Sequence, residues 1–500
     1  MAFLLGLDIG TSGAKALLSD EKGHVLASAV AEYPLSTPQP LWSEQNPADW
    51  WRGAKEALAL VLKGVSSGKV AGLGLTGQMH GSVFLDASDR IIRPALLWND
   101  QRTAEECRQI TGIIGQQRLI EIAGNPALTG FQAPKILWLR NHEPQNYARL
   151  ERVLLPKDYI RLLLTGEAAT DVSDAAGTLL LDLARRDYSS EILEKLAFER
   201  SWLPKVYEGP EVTGRLLADV AAELGLPFGL PVVAGGGDNA AAAVGTGVVH
   251  TGIVSSSIGT SGVIFAHSDE IAYDPMGRLH TFCHAVPGKY HLMAVTLSAG
   301  GSFRWWRDVL RAASGRDLSY EQMTGAAASV PAGAEGLLFL PYLTGERTPH
   351  LDPYARGVLV GLTARHSAAH IARAVMEGVV FSMKDGLEIM RSLGLPIGQI
   401  RATGGGGRSP LWRQMQADIY GAEVVTLRAE EGPAYGAALL AGVGAGIFAS
   451  VDEATRDTVV VTSATSPAAA AQDRYEKVYG LYASLYSQMR SAMHALNELG

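Results

Sequence analysis

Three glycines followed by an acid, Gly235-Gly236-Gly237-Asp238, make the point in this chain best suited to chemistry. The apolar residues 230–234 read as a buried strand, and the Ala-rich stretch after Asn239 reads as a helix. Asp238 then sits at the carboxyl end of a strand, where open α/β sheets place their ligands. A carboxylate held there would take the proton from a hydroxyl as that hydroxyl attacks phosphorus. Capping the helix is the plainer role for such an aspartate, but a cap needs no run of glycines before it. A second acid, Asp8, precedes Ile9-Gly10-Thr11-Ser12-Gly13, between two apolar runs. That pattern reads as strand, tight turn, strand, with backbone N–H groups and two hydroxyls gathered in the turn. Glycine lets the backbone approach a ligand, and successive N–H groups cradle phosphate oxygens. An acid beside such a turn suits Mg²⁺.

The same five residues return at Ile258-Gly259-Thr260-Ser261-Gly262, 249 positions further along a chain of 500. A repeat at half-length predicts two related halves, each opening on such a hairpin, which together grip a polyphosphate from both sides. Only the first copy carries the acid; Ser257 stands in its place in the second. The run 404–407, followed by Arg408, Ser409 and Pro410, is another strand–glycine–helix turn. Its backbone would lie flat against an adenine or ribose, and its helix start favours polar or anionic groups. Gln78-Met79-His80 ends a strand, where the glutamine and histidine would bond sugar hydroxyls; a purely structural histidine is the plainer alternative. The loop 42–45 and the residues Leu96, Trp98, Asn99 and Asp100 are candidates for the walls of the same pocket.

The elements that hold these groups follow from periodicity. Residues 1–31 predict a three-stranded meander. Asn46-Pro47 predicts a helix start, with Trp50, Ala54, Leu58 and Val61 as its buried stripe. Gly72-x-Gly74-x-x-Gly77 matches the dinucleotide fingerprint in form only: it lies within a strand, and the next run, 82–85, is strand-like rather than helical. There is no Walker A run. Residues 100–230 read as mostly helical, with a polar loop at 165–178 that looks more like solvated surface than a lid. A domain boundary is expected near 246. Helices are expected near 300–313, 366–393, 409–420 and 473–500, a strand at 400–402, and a loop at 464–472.

A formal net charge of −8 argues against nucleic acid as a partner, since such a chain shows a basic face. The hydrophobic share of 47% and the charged share of 19% are those of a globular chain. No apolar run reaches membrane-spanning length, and the chain enters its first strand without a secretion leader. Cys107 and Cys283 form no metal spacing and read as reduced core thiols, so a cytoplasmic protein is expected.

At this point the chain resembles the FGGY carbohydrate kinases, a family grouped with actin and the Hsp70-type ATPases. The resemblance runs through Asp8-Ile9-Gly10-Thr11-Ser12, Leu41-Trp42-Ser43-Glu44-Gln45 and Gly77-Gln78-Met79-His80-Gly81. It continues through Leu155-Pro156-Lys157-Asp158-Tyr159, the 235–239 turn, the run 341–350 and the signature-like stretch 357–377. A second signature, near 130–142, is met loosely, with Gln132 where Pro, Ser or Thr is expected. The resemblance implies an α/β fold of two actin-like (ribonuclease H-like) domains with an interdomain active-site cleft: a sugar-binding 1–246 and a nucleotide-binding 247–500. It implies ATP with Mg²⁺, the metal falling to Asp8, and Asp238 as the base. Met79, His80, Asp238 and Asn239 match sugar-contacting positions, to which the reading above adds Gln78. Thr11, Ser12, Gly259, Thr260, Gly405 and Ser409 match nucleotide-contacting ones. The Gln-Met-His-Gly run points to D-xylulose, phosphorylated at its terminal hydroxyl, ahead of L-ribulose, L-fuculose or glycerol. A homodimer is the family expectation. A non-catalytic sensor of the actin-like group would be expected to have lost Asp8 or Asp238, and both are present.

Overall fold

In a computed structural model, residues 2–429 and 431–499 are described. The meander forms as expected: β1 (Phe3–Ile9), β2 (Gly13–Asp20) and β3 (Val25–Glu32) pair antiparallel. β4 (Val70–Gly77) lies parallel to β1 on its other side. β5 (Val212–Arg215), β6 (Pro231–Val233) and β7 (Gly236–Gly237) complete the sheet. β6 runs parallel to β4, β5 antiparallel to β6, and β7 pairs parallel with the end of β4.

The second half repeats this plan. β8 (Gly252–Ile258) and β9 (Gly262–Ser268) form the second hairpin. β10 (His280–Cys283) and β11 (Tyr290–Thr296) follow, with β11 antiparallel to β9. β12 (Ile397–Thr403) lies parallel to β8 and β13 (Glu423–Leu427) parallel to β12. β14 (Val461–Thr465) closes the edge antiparallel to β13. The strand order β6-β4-β1-β2-β3 thus recurs as β13-β12-β8-β9-β11 with the same directions. The duplication glimpsed in five residues is a duplication of the sheet, and both hairpins connect corresponding strands.

Helices then place the halves against each other. α1 (Pro47–Val61) starts under its Asn46 cap, which accepts the Ala48 N–H, and buries Trp50, Ala54, Leu58 and Val61 as predicted. α2 (Pro156–Thr165) and α3 (Val172–Ala176) pack beneath the turn that carries Asp238, and α4 (Asp238–Gly245) leads out of it. The second half adds α5 (Gly300–Ser314), α6 (Ala368–Ser392), α7 (Gly404–Arg408), α8 (Pro410–Tyr420), α9 (Pro433–Gly444) and α10 (Ala469–Leu499). α9, late in the chain, lies on β1 and β4 of the first sheet and against α4. Leu4, Leu17, Val233, Ala240 and Val244 join Ala434, Tyr435, Ala438 and Leu439 in one core. The approach needs glycine: a Cβ on Gly74 would lie 1.8 Å from the Ala437 carbonyl oxygen.

Three expectations are corrected. Residues 165–178 are neither lid nor solvated loop; they form a short strand, Ala169–Asp171, and α3. Asp171 and Asp174 are fully buried because Lys157, also buried, lies 2.7 and 3.4 Å from them and 2.5 Å from Asp158. Opposite charges that share one site can leave water together. The run Gly404–Arg408 is a helical turn rather than a flat loop. The segment 464–472 is mostly regular, ending β14 and starting α10. The rejected dinucleotide fingerprint does lie inside a strand, β4, followed by another strand, Val83–Leu85. Cys107 and Cys283 are buried and free. Among the described residues no helix is long and apolar enough to cross a membrane.

Candidate active site

The strand-to-helix turn before Asp238 is held from below. Arg161 of α2 donates to the carbonyls of Val233 (2.8 Å) and Ala234 (2.6 Å). Ser173 of α3 accepts the Gly237 N–H at 3.1 Å. Gly235 takes φ +78°, and a Cβ there would lie 1.7 Å from the Leu75 carbonyl oxygen, so only glycine fits. Asp238 opens α4 but does not cap it; Gly237 holds the cap position. Its Oδ1 accepts from the Asn239 N–H (2.7 Å) and Nδ2 (2.9 Å). Burial pushes its carboxyl up to about 6, against the lowering effect of those bonds.

Asp8, on β1, lies within electrostatic reach of Asp238. Burial first and the Asp238 charge second raise its carboxyl to about 7, while Lys15 opposes. Its Oδ1 is buried with no hydrogen-bond partner among the described residues. Two carboxylates pushed up together, one with an unsatisfied oxygen, are the donor chemistry of a hard cation such as Mg²⁺.

Asp238 and Asn239 face a cavity of about 270 Å³, small beside the roughly 300–1,000 Å³ clefts that hold drug-sized ligands. Met79, His80, Trp98 and Phe131 line it from the first half. Ser261, His280, Met293 and Arg347 line it from the second, so the pocket is built across both halves. His80 adopts φ +68°, an uncommon conformation for a side-chain-bearing residue and one that clusters at functional sites. Its Nδ1 lies 2.6 Å from the Gly177 carbonyl, which can only accept, so the proton sits on Nδ1 and Nε2 is left as an acceptor. Burial lowers its pKa to about 3, keeping the ring neutral. A neutral acceptor and a carboxylate side by side match the hydroxyls of a small sugar.

A second cavity, about 510 Å³, lies in the second half. It unites the expected Gly259, Thr260, Gly405 and Ser409 with Gly300, Tyr320 and others. Ser409 also caps α8 through the Trp412 N–H. The second hairpin borders both cavities: Gly259 and Thr260 face this one, and Ser261 faces the smaller. A group passed from one cavity to the other travels past that turn.

The other expected residues are placed differently. Gln78 is 2% exposed and does not line the small cavity. Its Oε1 accepts from Thr11 Oγ1 (3.1 Å), and its Nε2 donates to the Gly10 carbonyl (3.3 Å). Tyr33 also donates to Gly10 O (2.6 Å), Gln45 to Thr11 O (2.7 Å) and Trp98 to Thr11 Oγ1 (3.0 Å). These side chains lace the first hairpin into one conformation. Thr11 and Ser12 lie on that turn and line neither cavity; Ser12 is exposed. Of the loop 42–45, Trp42 stacks on Arg102 (3.5 Å) and Glu44 pairs with Arg93 and Arg102, behind the pocket rather than in it. Sequence reasoning left Phe131, His280 and Arg347 without a role, and gave Ser261 only a place in the phosphate-gripping second hairpin. For Arg347 a signal existed, the dense polar run Thr344-Gly345-Glu346-Arg347-Thr348 amid apolar sequence.

Comparison with known proteins bears on what occupies these cavities. The sequence model for the FGGY family of carbohydrate kinases, N-terminal domain, matches residues 3–245, and that for the C-terminal domain matches 254–445. The chain is 46% identical over 443 residues to a xylulose kinase of Escherichia coli (strain K12), covering 88% of this chain and 90% of that one. It is 41% identical over 506 residues to a xylulose kinase of Lactococcus lactis subsp. lactis (strain IL1403), covering 100% and 99%. The crystal structure of xylulose kinase from Rhodospirillum rubrum superposes with a TM-score of 0.92 at 30% identity, covering 98% of this chain and 100% of that one.

Proposed function

The chain belongs to the FGGY family of carbohydrate kinases, and on that premise we propose that it transfers the γ-phosphoryl group of ATP to D-xylulose, giving D-xylulose 5-phosphate. The observation that carries the mechanism is the second hairpin, which borders the acid-bearing small cavity with one residue and the larger cavity with two others. The sugar binds between the halves, with His80 Nε2 accepting one of its hydroxyl protons. Its terminal hydroxyl meets Asp238. The nucleotide lies along Gly259, Thr260, Gly405 and Ser409.

Asp238 accepts the proton of the terminal hydroxyl as that oxygen bonds to the γ-phosphorus in line, and the bridging oxygen leaves with ADP. Asn239, donating to Asp238 Oδ1, orients the carboxylate. Asp8 would hold Mg²⁺, which supplies neutralisation of charge on the phosphates. The laced first hairpin carries Thr11 and Ser12 to the phosphate end of the nucleotide when the halves close, and closure excludes water as a rival acceptor. Residues 1–246 supply the base and most sugar contacts, and 247–500 the nucleotide site. The free thiols of Cys107 and Cys283 support a reducing, cytoplasmic setting; light scattering reads whether the protein is the expected homodimer.

A coupled ADP-release assay tests this reading with D-xylulose beside L-ribulose, L-fuculose and glycerol. D-xylulose is expected to have the highest kcat/KM. A higher value for any of the others would reassign the substrate within the family.

A further inference from the structure

The small cavity holds one cation that the mechanism above does not use. Arg347 comes from the second half, on a loop pinned on both sides. Glu346 Oε1 accepts the N–H groups of Arg347 (2.7 Å) and Leu297 (3.0 Å). Thr348 donates its N–H to Val295 O (3.0 Å) and its hydroxyl to Arg278 O (2.8 Å).

The guanidinium is oriented from behind. Arg347 Nη1 lies 3.4 Å from His280 Nε2. His280 Nδ1 lies 2.8 Å from Asn125 Oδ1, and Asn125 Nδ2 donates to the carbonyls of Ala123 and Thr281. Those two carbonyls fix the amide, the amide oxygen fixes the proton on His280 Nδ1, and His280 Nε2 is left to accept from Arg347. The chain crosses from the first half to the second and ends in the cavity. Burial is the main reason the pKa of both His80 and His280 is lowered, and Arg347 lowers each further, which places its charge near each of them. Among the described residues it has no ion-pair partner; Glu346 acts on it only at longer range.

The polar inventory of the cavity is therefore lopsided. His80 Nε2 and Asp238 accept, and both suit hydroxyl groups. Arg347 is the only cation among the described residues that line it, and a guanidinium only donates. A ketose differs from its reduced polyol by one carbonyl, an acceptor with no proton to place.

We propose that Arg347 donates to the ketone oxygen at C2 of the open-chain sugar and is the residue that makes the site select a ketose over the corresponding polyol. This rests on D-xylulose as the substrate. A polyol hydroxyl could accept from Arg347 as well, but it brings a proton of its own beside a group that only donates, and leaving that proton unpaired is the kind of mismatch a polar site rejects. Because the donor belongs to the second half, a ketose also ties the two halves together.

The experiment compares wild type with Arg347→Met and Arg347→Lys on D-xylulose and on its two reduction products, xylitol and D-arabinitol. Each polyol is measured as substrate and as inhibitor, so a slow rate still yields an affinity. In Arg347→Met, kcat/KM for D-xylulose is expected to fall at least about tenfold more than the corresponding polyol value, with Arg347→Lys between. ADP affinity by calorimetry should stay within about twofold of wild type, since Arg347 does not line the nucleotide cavity, and this serves as the folding control. Equal losses for ketose and polyol, or undiminished discrimination in Arg347→Met, would overturn the assignment of Arg347 while leaving the xylulose reading intact. A wild-type enzyme inactive on D-xylulose would overturn both.

Discussion

Asp238 shows how much a single position draws from its surroundings. In water its carboxyl would be ionised and indifferent; at the head of α4, where it is half-buried, desolvation raises it to about 6. A base must be deprotonated to act, so with Mg²⁺ saturating, to hold Asp8 ionised, kcat/KM should be flat at neutral pH and fall as pH drops through about 6, approaching tenfold per unit below it. A profile flat down to pH 4.5 would remove Asp238 from that role. Asp238→Asn keeps the shape and the helix start but loses the base. Its kcat should fall by about 10²–10⁴, with ADP affinity by calorimetry nearly unchanged. Lys157 makes a different point at the same scale. It neutralises Asp158, Asp171 and Asp174 where none is exposed. Lys157→Met would leave three acids buried without that partner, and denaturant unfolding should show a loss of about 3–5 kcal/mol.

Among the elements, α9 and the two hairpins matter most. α9 reaches back from the second half to lie on β1 and β4, so close that the helix backbone occupies the space of a side chain at Gly74. Gly74→Ala therefore forces the helix off the sheet. A cost of at least about 1–3 kcal/mol is expected, read as a lowered denaturation midpoint; an unchanged midpoint would mean the contact is loose. The hairpins share a sequence but are supported differently. The first is laced by Tyr33, Gln45, Gln78 and Trp98, whereas the second leans on backbone, with Gly300 N donating to Gly259 O at 2.8 Å and Gly301 N to Thr260 O at 3.0 Å. Gln78, read from sequence as a sugar ligand, turns out to be spent on this lacing.

Over the whole molecule, the small cavity has walls from both halves, and the second hairpin links it to the larger cavity of the second half. The Lys15–Glu431 pair, 2.6 Å apart, is a further tie between the halves. Two ligands that each draw the halves together should favour one another's binding. D-xylulose is expected to tighten ADP by about fivefold or more, and ADP to tighten D-xylulose by the same factor, since coupling is reciprocal. Calorimetry with each ligand present in turn measures both; independent affinities would mean the halves do not move as the mechanism requires.

Local pattern alone carried the duplicated hairpin, the strand–glycine–acid turn, the capped start of α1 and the acids at 8 and 238, because backbone conformation and helix starts are decided by residues a few positions apart. The burial of residues 165–178 was not legible: a run of acids and hydroxyls looks solvated until Lys157 and Arg161 are seen beneath it. Nor were the lacing role of Gln78 or the place of Arg347 in the pocket, since both depend on partners brought from far along the chain. Charge and polarity in a sequence state what a side chain can bond; only the packing of distant segments, through the desolvation it imposes and the partners it supplies, decided what each one does bond.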